Sequence, residues 1–283
     1  MKRILAATLL LVATPLCAQI AEGDQQWSIR AEGSSAGHAK AAHIDAAIAA
    51  YEKAAAANPN DLEARWKLLR ALRFKGAYAA SSTAEKRDVY AKGKQAGDAA
   101  LAVLDKALRA KGITSVSKAT EKQIADSARA IPGAGEIFFW DSVNWGEWAL
   151  AYGKMAAVRE GAADRIKRES TIAMLINPAL EGGGPARVLG RLHNQTPHVP
   201  FVTGWASDKE AVKYLNESLK IDPKNKITIV FLAEAMVDND SDTKPQATQM
   251  LKAAIAAPND PAYEVEMAAA TEDAKRLLKE WGK

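Results

Sequence analysis

Four histidines, a single cysteine and a run of glycines are the positions at which this chain could do chemistry. His38 and His43 are five residues apart, and so are His193 and His198. A helix stacks side chains that are four apart, so neither pair offers two imidazoles to one ion. No carboxylate or thiolate stands beside either pair at a zinc-ligand spacing, so the sequence predicts no metal site. His193 and His198 read as surface or capping residues, and acidic pairs such as Glu160 and Asp164 as solvated helix faces. No serine lies in a nucleophile-elbow setting. Gly182-Gly183-Gly184 precedes a helix, and helix N-termini favour anions. Yet no Lys-Ser/Thr follows the run and no strand precedes it, so neither nucleotide-binding fingerprint is met. The run predicts a tight turn in which any side chain would collide with a neighbouring helix, and Pro185 suits the first turn of the helix after it. The sequence therefore predicts no enzyme and no cofactor; a hydrolase whose groups converge only in the fold is the catalytic alternative.

The elements that would position these residues are helices. Ala211, Leu215 and Ser218 share a helical face, Asp222-Pro223 follows, and Leu232, Ala233 and Met236 open the next helix. Ala47, Tyr51 and Ala54 stand in the same relation to Pro59, and Leu68, Leu69 and Leu72 follow that proline at the same distances. Ile166, Ser170 and Ala173 before Pro178 give a third joint, and Ala247, Leu251 and Ala254 before Pro258 a degenerate fourth. Small, large, small, proline, then a fresh amphipathic helix is the joint of a tetratricopeptide-type hairpin repeat, whose period is about 34 residues. Asp61 is placed to cap the helix after Pro59 and Gly76 to end it. The fold class predicted is all-α: a tetratricopeptide-like solenoid of four to five helix pairs with an amphipathic closing helix near 262–281.

The first residues, Met1-Lys2-Arg3 and then an apolar run from Ile4 to Leu16, read as a secretory signal peptide, residues 1–18, cleaved after Ala18. Cys17 offers the alternative of a lipid anchor, the one route by which this reading reaches a membrane; Leu16 before it is larger than such sites prefer. Removal of Lys2 and Arg3 lowers the formal charge from +4 to +2, 36 basic against 34 acidic residues. That balance argues against nucleic acid as a partner, and export leaves no cysteine for disulfides. Residues 19–36, with Gly23, Gly33, Ser34 and Ser35, read as a flexible lead-in onto which Trp27 and Ile29 could pack back. Residues 37–283 read as one solenoid domain, located in the periplasm.

Several pieces together resemble the periplasmic T-components associated with TRAP-type transporters: Phe139-Trp140 with Trp145-Gly146-Glu147-Trp148; Gly182-Gly183-Gly184-Pro185 with Arg187, Leu189 and Gly190; the Ala211…Leu215…Asp222-Pro223 joint; and Ala274-Lys275-Arg276-Leu277-Leu278. The resemblance covers roughly residues 38–281. It implies an envelope protein that associates with a transporter's substrate-binding subunit and is accessory to solute uptake. A scaffold for envelope or outer-membrane assembly is the alternative role.

Register carried from each joint marks the residues of the concave face. They are Glu63, Trp66, Arg70 and Arg73 after Pro59; Trp140, Val143, Glu147 and Leu150 in the aromatic helix; Arg187, Arg191 and Asn194 after the glycines; and Ile227, Val230 and Glu234 in the last hairpin. Such a surface suits a protein partner, an acidic peptide, a small carboxylate or an apolar ligand, because arginine forks bind carboxylates and Trp and Arg anchor interfaces. The same arginines could instead pair with Glu63, Glu147 and Glu234. Trp145 and Trp148 read as hairpin core. The loop 196–207, with Phe201 and Trp205, is too apolar for a plain linker and is expected to cover the groove mouth or to meet a second subunit in a homo-oligomer.

Overall fold

The structure, a computed structural model, describes residues 15–199 and 203–283. Most of the signal-peptide reading, and the Phe201 part of the loop reading, lie outside those residues. The described residues form thirteen α-helices: α1 (Pro15–Ser28), α2 (Ala41–Ala57), α3 (Leu62–Phe74), α4 (Thr83–Ala110), α5 (Glu121–Ala128), α6 (Ala134–Tyr152), α7 (Lys154–Arg159), α8 (Ala162–Ile176), α9 (Gly184–Gln195), α10 (Asp208–Ile221), α11 (Lys226–Asn239), α12 (Lys244–Ala256) and α13 (Glu264–Glu280). Successive helices pack as pairs, α1 on α2, α3 on α4, α6 on α8, α9 on α10 and α11 on α12. The first members also neighbour one another, α3 against α6, α6 against α9 and α9 against α11, and so make the inner layer of a solenoid.

The repeat pattern builds this by local means. Asp61 accepts a hydrogen bond from the Ala64 amide at 2.8 Å and Asn225 one from Thr228 at 3.1 Å, so the helix after each of these two joints starts capped. Ser82, Thr120 and Ser207 cap α4, α5 and α10 in the same way. Every residue of the small-large-small sets at Tyr51, Leu215 and Leu251 is buried. Two of the large members seat on a glycine of the preceding helix. A Cβ on Gly23 would lie 2.4 Å from the Tyr51 ring, and one on Gly190 2.5 Å from Leu215. The glycine run makes the turn expected of it: a Cβ on Gly183 would meet the Ser218 carbonyl at 2.9 Å and one on Gly184 the Phe139 ring at 2.7 Å. The run therefore packs against the last turn before the Asp222-Pro223 joint.

Three features differ from the sequence reading. Residues 19–36 are not a loose lead-in. They supply the body of α1 and a tight turn after it, because Asp24 accepts hydrogen bonds from Tyr51 (2.8 Å) and Lys67 (2.6 Å) and Trp27 packs edge-on against Phe74. In place of a flexible segment, α1 is the first helix of the first pair. Gly76 does not end α3; the helix runs on through a π turn, Lys75–Ala79, with Gly76 beneath the Tyr90 ring.

The third difference is at the far end. The closing helix α13 packs on α11 and α12, and it also returns to the start of the chain, touching the π turn. Val265 joins the core formed by Ile44, Tyr51 and Phe74. Arg30, only 7 % exposed, donates to Glu266 at 3.0 Å and to the Ala262 carbonyl, and Gly37 lies against the Ala269 backbone. The inner layer thus forms a closed circuit of neighbours, α3–α6–α9–α11–α13–π turn.

At the centre of the outer contacts, α4, α6 and α8 enclose Asp141, which is fully buried. Arg165 donates to Asp141 (2.7 Å), to Glu169 (2.9 Å) and to Asp98 (2.8 Å), so one guanidinium serves three carboxyl groups. The free Asp141 oxygen fills the place a side chain would take at Gly97.

Candidate binding surface

Helix α3 presents Trp66, Arg70 and Arg73 at spacings of four and three, one stripe on its surface. Arg73 donates to the Tyr78 hydroxyl at 2.8 Å and to Glu147 of α6 at 3.1 Å, and Tyr90 donates to the other Glu147 oxygen at 3.1 Å. Burial opposes the Arg73 charge, but Tyr78 and Glu147 outweigh it and its pKa is raised. Arg191 of α9 is paired with Glu234 of α11 at 2.5 Å and lies over the Phe231 ring. These two arginines are engaged within the fold, as the pairing alternative anticipated.

Arg187 is engaged differently. It donates to the Gly182 and Glu181 carbonyls at 3.2 and 3.0 Å and to the Thr228 hydroxyl at 3.2 Å. No carboxylate pairs with it among the described residues. Burial lowers its pKa, with Glu181 opposing. Glu181 itself sits at φ +48°, in the left-handed region that non-glycine residues rarely occupy. It is held there from both ends: its carbonyl accepts from Arg187 and its carboxylate from Tyr263 at 3.1 Å. Burial, then the Glu181 charge, raises the Tyr263 hydroxyl to about 12.

Arg70 has the least internal company. Its guanidinium lies 3.9 Å from the centre of the Trp27 ring and 4.9 Å from that of Trp66. It makes no ion pair among the described residues, and its Nε is buried without a hydrogen-bond partner. Burial lowers its pKa, and the Glu181 charge is the main opposing influence. Arg70 therefore lies within electrostatic reach of Glu181, the residue that Arg187 and Tyr263 hold.

The register also picked residues that the structure places elsewhere. Trp140 is 9 % exposed and packs edge-on to Phe139 in the core shared with Leu69 and Ile172. It is not on the concave surface, because α6 has neighbours on several sides, α3, α4 and α8 among them, and buries most of its circumference. Trp205 does not cover a groove mouth. Its indole donates to Asp164 at 3.2 Å, its ring meets His193 edge-on at 5.2 Å, and Lys167 stands over it. It is pinned to the outer helix α8. Leu150 is exposed at the end of α6. The surface in turn includes residues that the sequence reading did not select, Trp27, Glu181 and Tyr263, with Tyr78 buried behind Arg73. Of these, the positive φ at Glu181 and the π turn at Tyr78 left no pattern in the sequence. Trp27 was visible as a tryptophan in a segment otherwise read as loose.

Fold and surface together define the class: an all-α tetratricopeptide-like hairpin solenoid, closed on itself by its last helix, with an arginine- and aromatic-lined inner face. No family model matches the chain, and no curated protein sequence matches it. Among solved structures, a TPR2AB-domain:pHSP90 complex of yeast Sti1 aligns over 95 % of this chain and 98 % of that chain, at 14 % identity and a TM-score of 0.32. The repeat assignment rests on this chain's own joints and helix neighbours, not on that overlap.

Proposed function

We propose that this chain is a non-catalytic binding protein that takes an acidic partner, a peptide or a small carboxylate, on its inner face. The observation that carries this reading is Arg70: a guanidinium clamped between two indoles, beside the Tyr51 hydroxyl, with no carboxylate paired to it among the described residues and its Nε unpartnered. A buried donor left unmade costs about 1–3 kcal/mol. A bound carboxylate removes that cost by filling the fork with two parallel hydrogen bonds. Trp27, which also carries the Arg30 guanidinium, and Trp66 hold the fork in place. Arg187 adds a second cation, while Glu181 limits how much negative charge the surface accepts. In the finer reading, which follows the T-component resemblance, the partner is the substrate-binding subunit of a TRAP-type transporter and the location is the periplasm.

Titration calorimetry with short acidic peptides tests the site, and capture from a periplasmic extract followed by mass spectrometry tests the partner. Arg70→Ala is the informative substitution, because Arg73, Arg187 and Arg191 also hold the fold together. It should weaken peptide binding at least tenfold, corresponding to the ~1.4 kcal/mol that separates decades of affinity, while leaving the helical signal intact. Equal affinity in the variant would refute the assignment.

A further inference from the structure

Six large apolar side chains stand exposed among the described residues, and four of them lie between positions 150 and 158: Leu150 (67 %), Tyr152, Met155 (78 %) and Val158 (64 %). Isolated exposed apolar residues are ordinary, but a cluster marks a contact surface. Helix α7 displays two of them. Gly153 at φ +90° and Gly161 at φ +66° bracket it. Ala156 and Ala157 pack inward on the Trp145–Trp148 cluster, and Met155 and Val158, three apart, point away. The surroundings are cationic. Lys154 and Arg159 are exposed on α7 itself. Arg87 donates to the Ala151 carbonyl at 2.9 Å and its guanidinium lies over Tyr152. Of the nearby acids, Glu160 is neutralised by Lys94 at 2.8 Å and Asp164 is occupied by the Trp205 indole, while Asp88 on α4 is exposed.

We propose that this protrusion is a docking point for an anionic bilayer surface, with Leu150, Met155 and Val158 entering the interface and Lys154, Arg159 and Arg87 meeting headgroups. No helix among the described residues is long and apolar enough to cross a membrane, so contact through this patch is peripheral. The side chains project from the surface, whereas a protein partner would have to supply a pocket shaped to them. A bilayer interface takes apolar protrusions without a shaped receptor, and a basic rim adds attraction to anionic lipid. A second copy of the chain is disfavoured, because a two-fold contact would set the Lys154 and Arg159 rim against itself.

The test is flotation of the full chain with vesicles of equal parts phosphatidylglycerol and phosphatidylcholine, and with phosphatidylcholine alone. The parent should float with the anionic vesicles and release in high salt. Leu150→Ser/Met155→Ser/Val158→Ser should weaken that binding at least about tenfold, and Lys154→Gln/Arg159→Gln should reduce its salt sensitivity. Both variants alter exposed side chains, and circular dichroism melting checks that they fold. Arg70→Ala should float like the parent, which separates this surface from the inner face. Equal flotation of the triple variant, which shares the N-terminal apolar run with the parent, would overturn the proposal. So would a parent that does not float. A parent that self-associates in sedimentation velocity while the triple variant does not would assign the patch to a second copy instead.

Discussion

Glu169→Gln should make this protein more stable at neutral pH. Asp141 and Glu169 are both buried, lie within hydrogen-bonding reach of each other, and share one arginine with Asp98. Burial, and then the Asp141 charge, pushes the Glu169 carboxyl well above the ordinary carboxylate range, and burial raises Asp141 as well. Glu169 therefore holds its proton more tightly in the fold than in the unfolded chain, with Asp141 as the neighbouring carboxylate. In the unfolded chain the same carboxyl ionises above about pH 4.3. The folded state then binds the extra proton, so stability falls as pH rises from that point up to the folded-state value. The slope is up to ~1.4 kcal/mol per pH unit for one proton. Glutamine keeps the shape and a donor for Asp141 and has no proton to lose. The variant should match the parent near pH 4 and exceed it by about 1–3 kcal/mol at pH 7. That corresponds to a melting point higher by at least about 2 °C for a chain of this size. Urea unfolding followed by circular dichroism between pH 4 and pH 8 measures both quantities. A variant less stable than the parent at pH 7, or one with the parent's pH slope, would show that the pair does not hold a proton in this way.

Two further outcomes follow from the packing. Gly183→Ala places a methyl group 2.9 Å from the Ser218 carbonyl at a backbone φ of +79°; a loss of about 1–3 kcal/mol is expected in thermal or urea unfolding. Arg30→Met leaves Glu266 buried without its cation and should cost about 3–5 kcal/mol, whereas Arg30→Met/Glu266→Met should recover most of it, with hydrogen exchange in α13 reporting the local loosening.

The joints at Pro59, Pro178 and Pro223 were legible because each is made within one stretch of chain. At Pro59 and Pro223 the small-large-small face, the capping residue and the proline are local signals; at Pro178 the proline and the turn at Gly182–Gly184 are. Helix α1 was not legible, because what fixes it lies 27 and 43 residues away, at Tyr51 and Lys67. Glycine and serine content alone suggested mobility there. Register put Trp66, Arg70, Arg73, Glu147, Arg187 and Arg191 on α3, α6 and α9, which are neighbours in the inner layer, but it cannot tell an engaged arginine from an open one. That distinction depends on Tyr78, Glu181 and Tyr263, which sit in a π turn, a strained turn and a 3₁₀ turn outside the repeat. Trp140 was misplaced for a related reason: periodicity assigns one buried face, and α6 is packed on more than one.

The return of α13 to the first hairpin bears on how the chain acquires its structure. The core around Ile44, Tyr51 and Phe74 lacks Val265 until the last helix has been made and delivered, about two hundred residues later. A ribosome or a translocation pore releases those segments in order, so the earliest hairpin emerges incomplete and waits for the end of the chain. Contacts of such sequence separation slow folding. The Arg30–Glu266 pair likewise needs both ends of the chain, and a chain stopped short of position 264 would expose the apolar face of its own beginning.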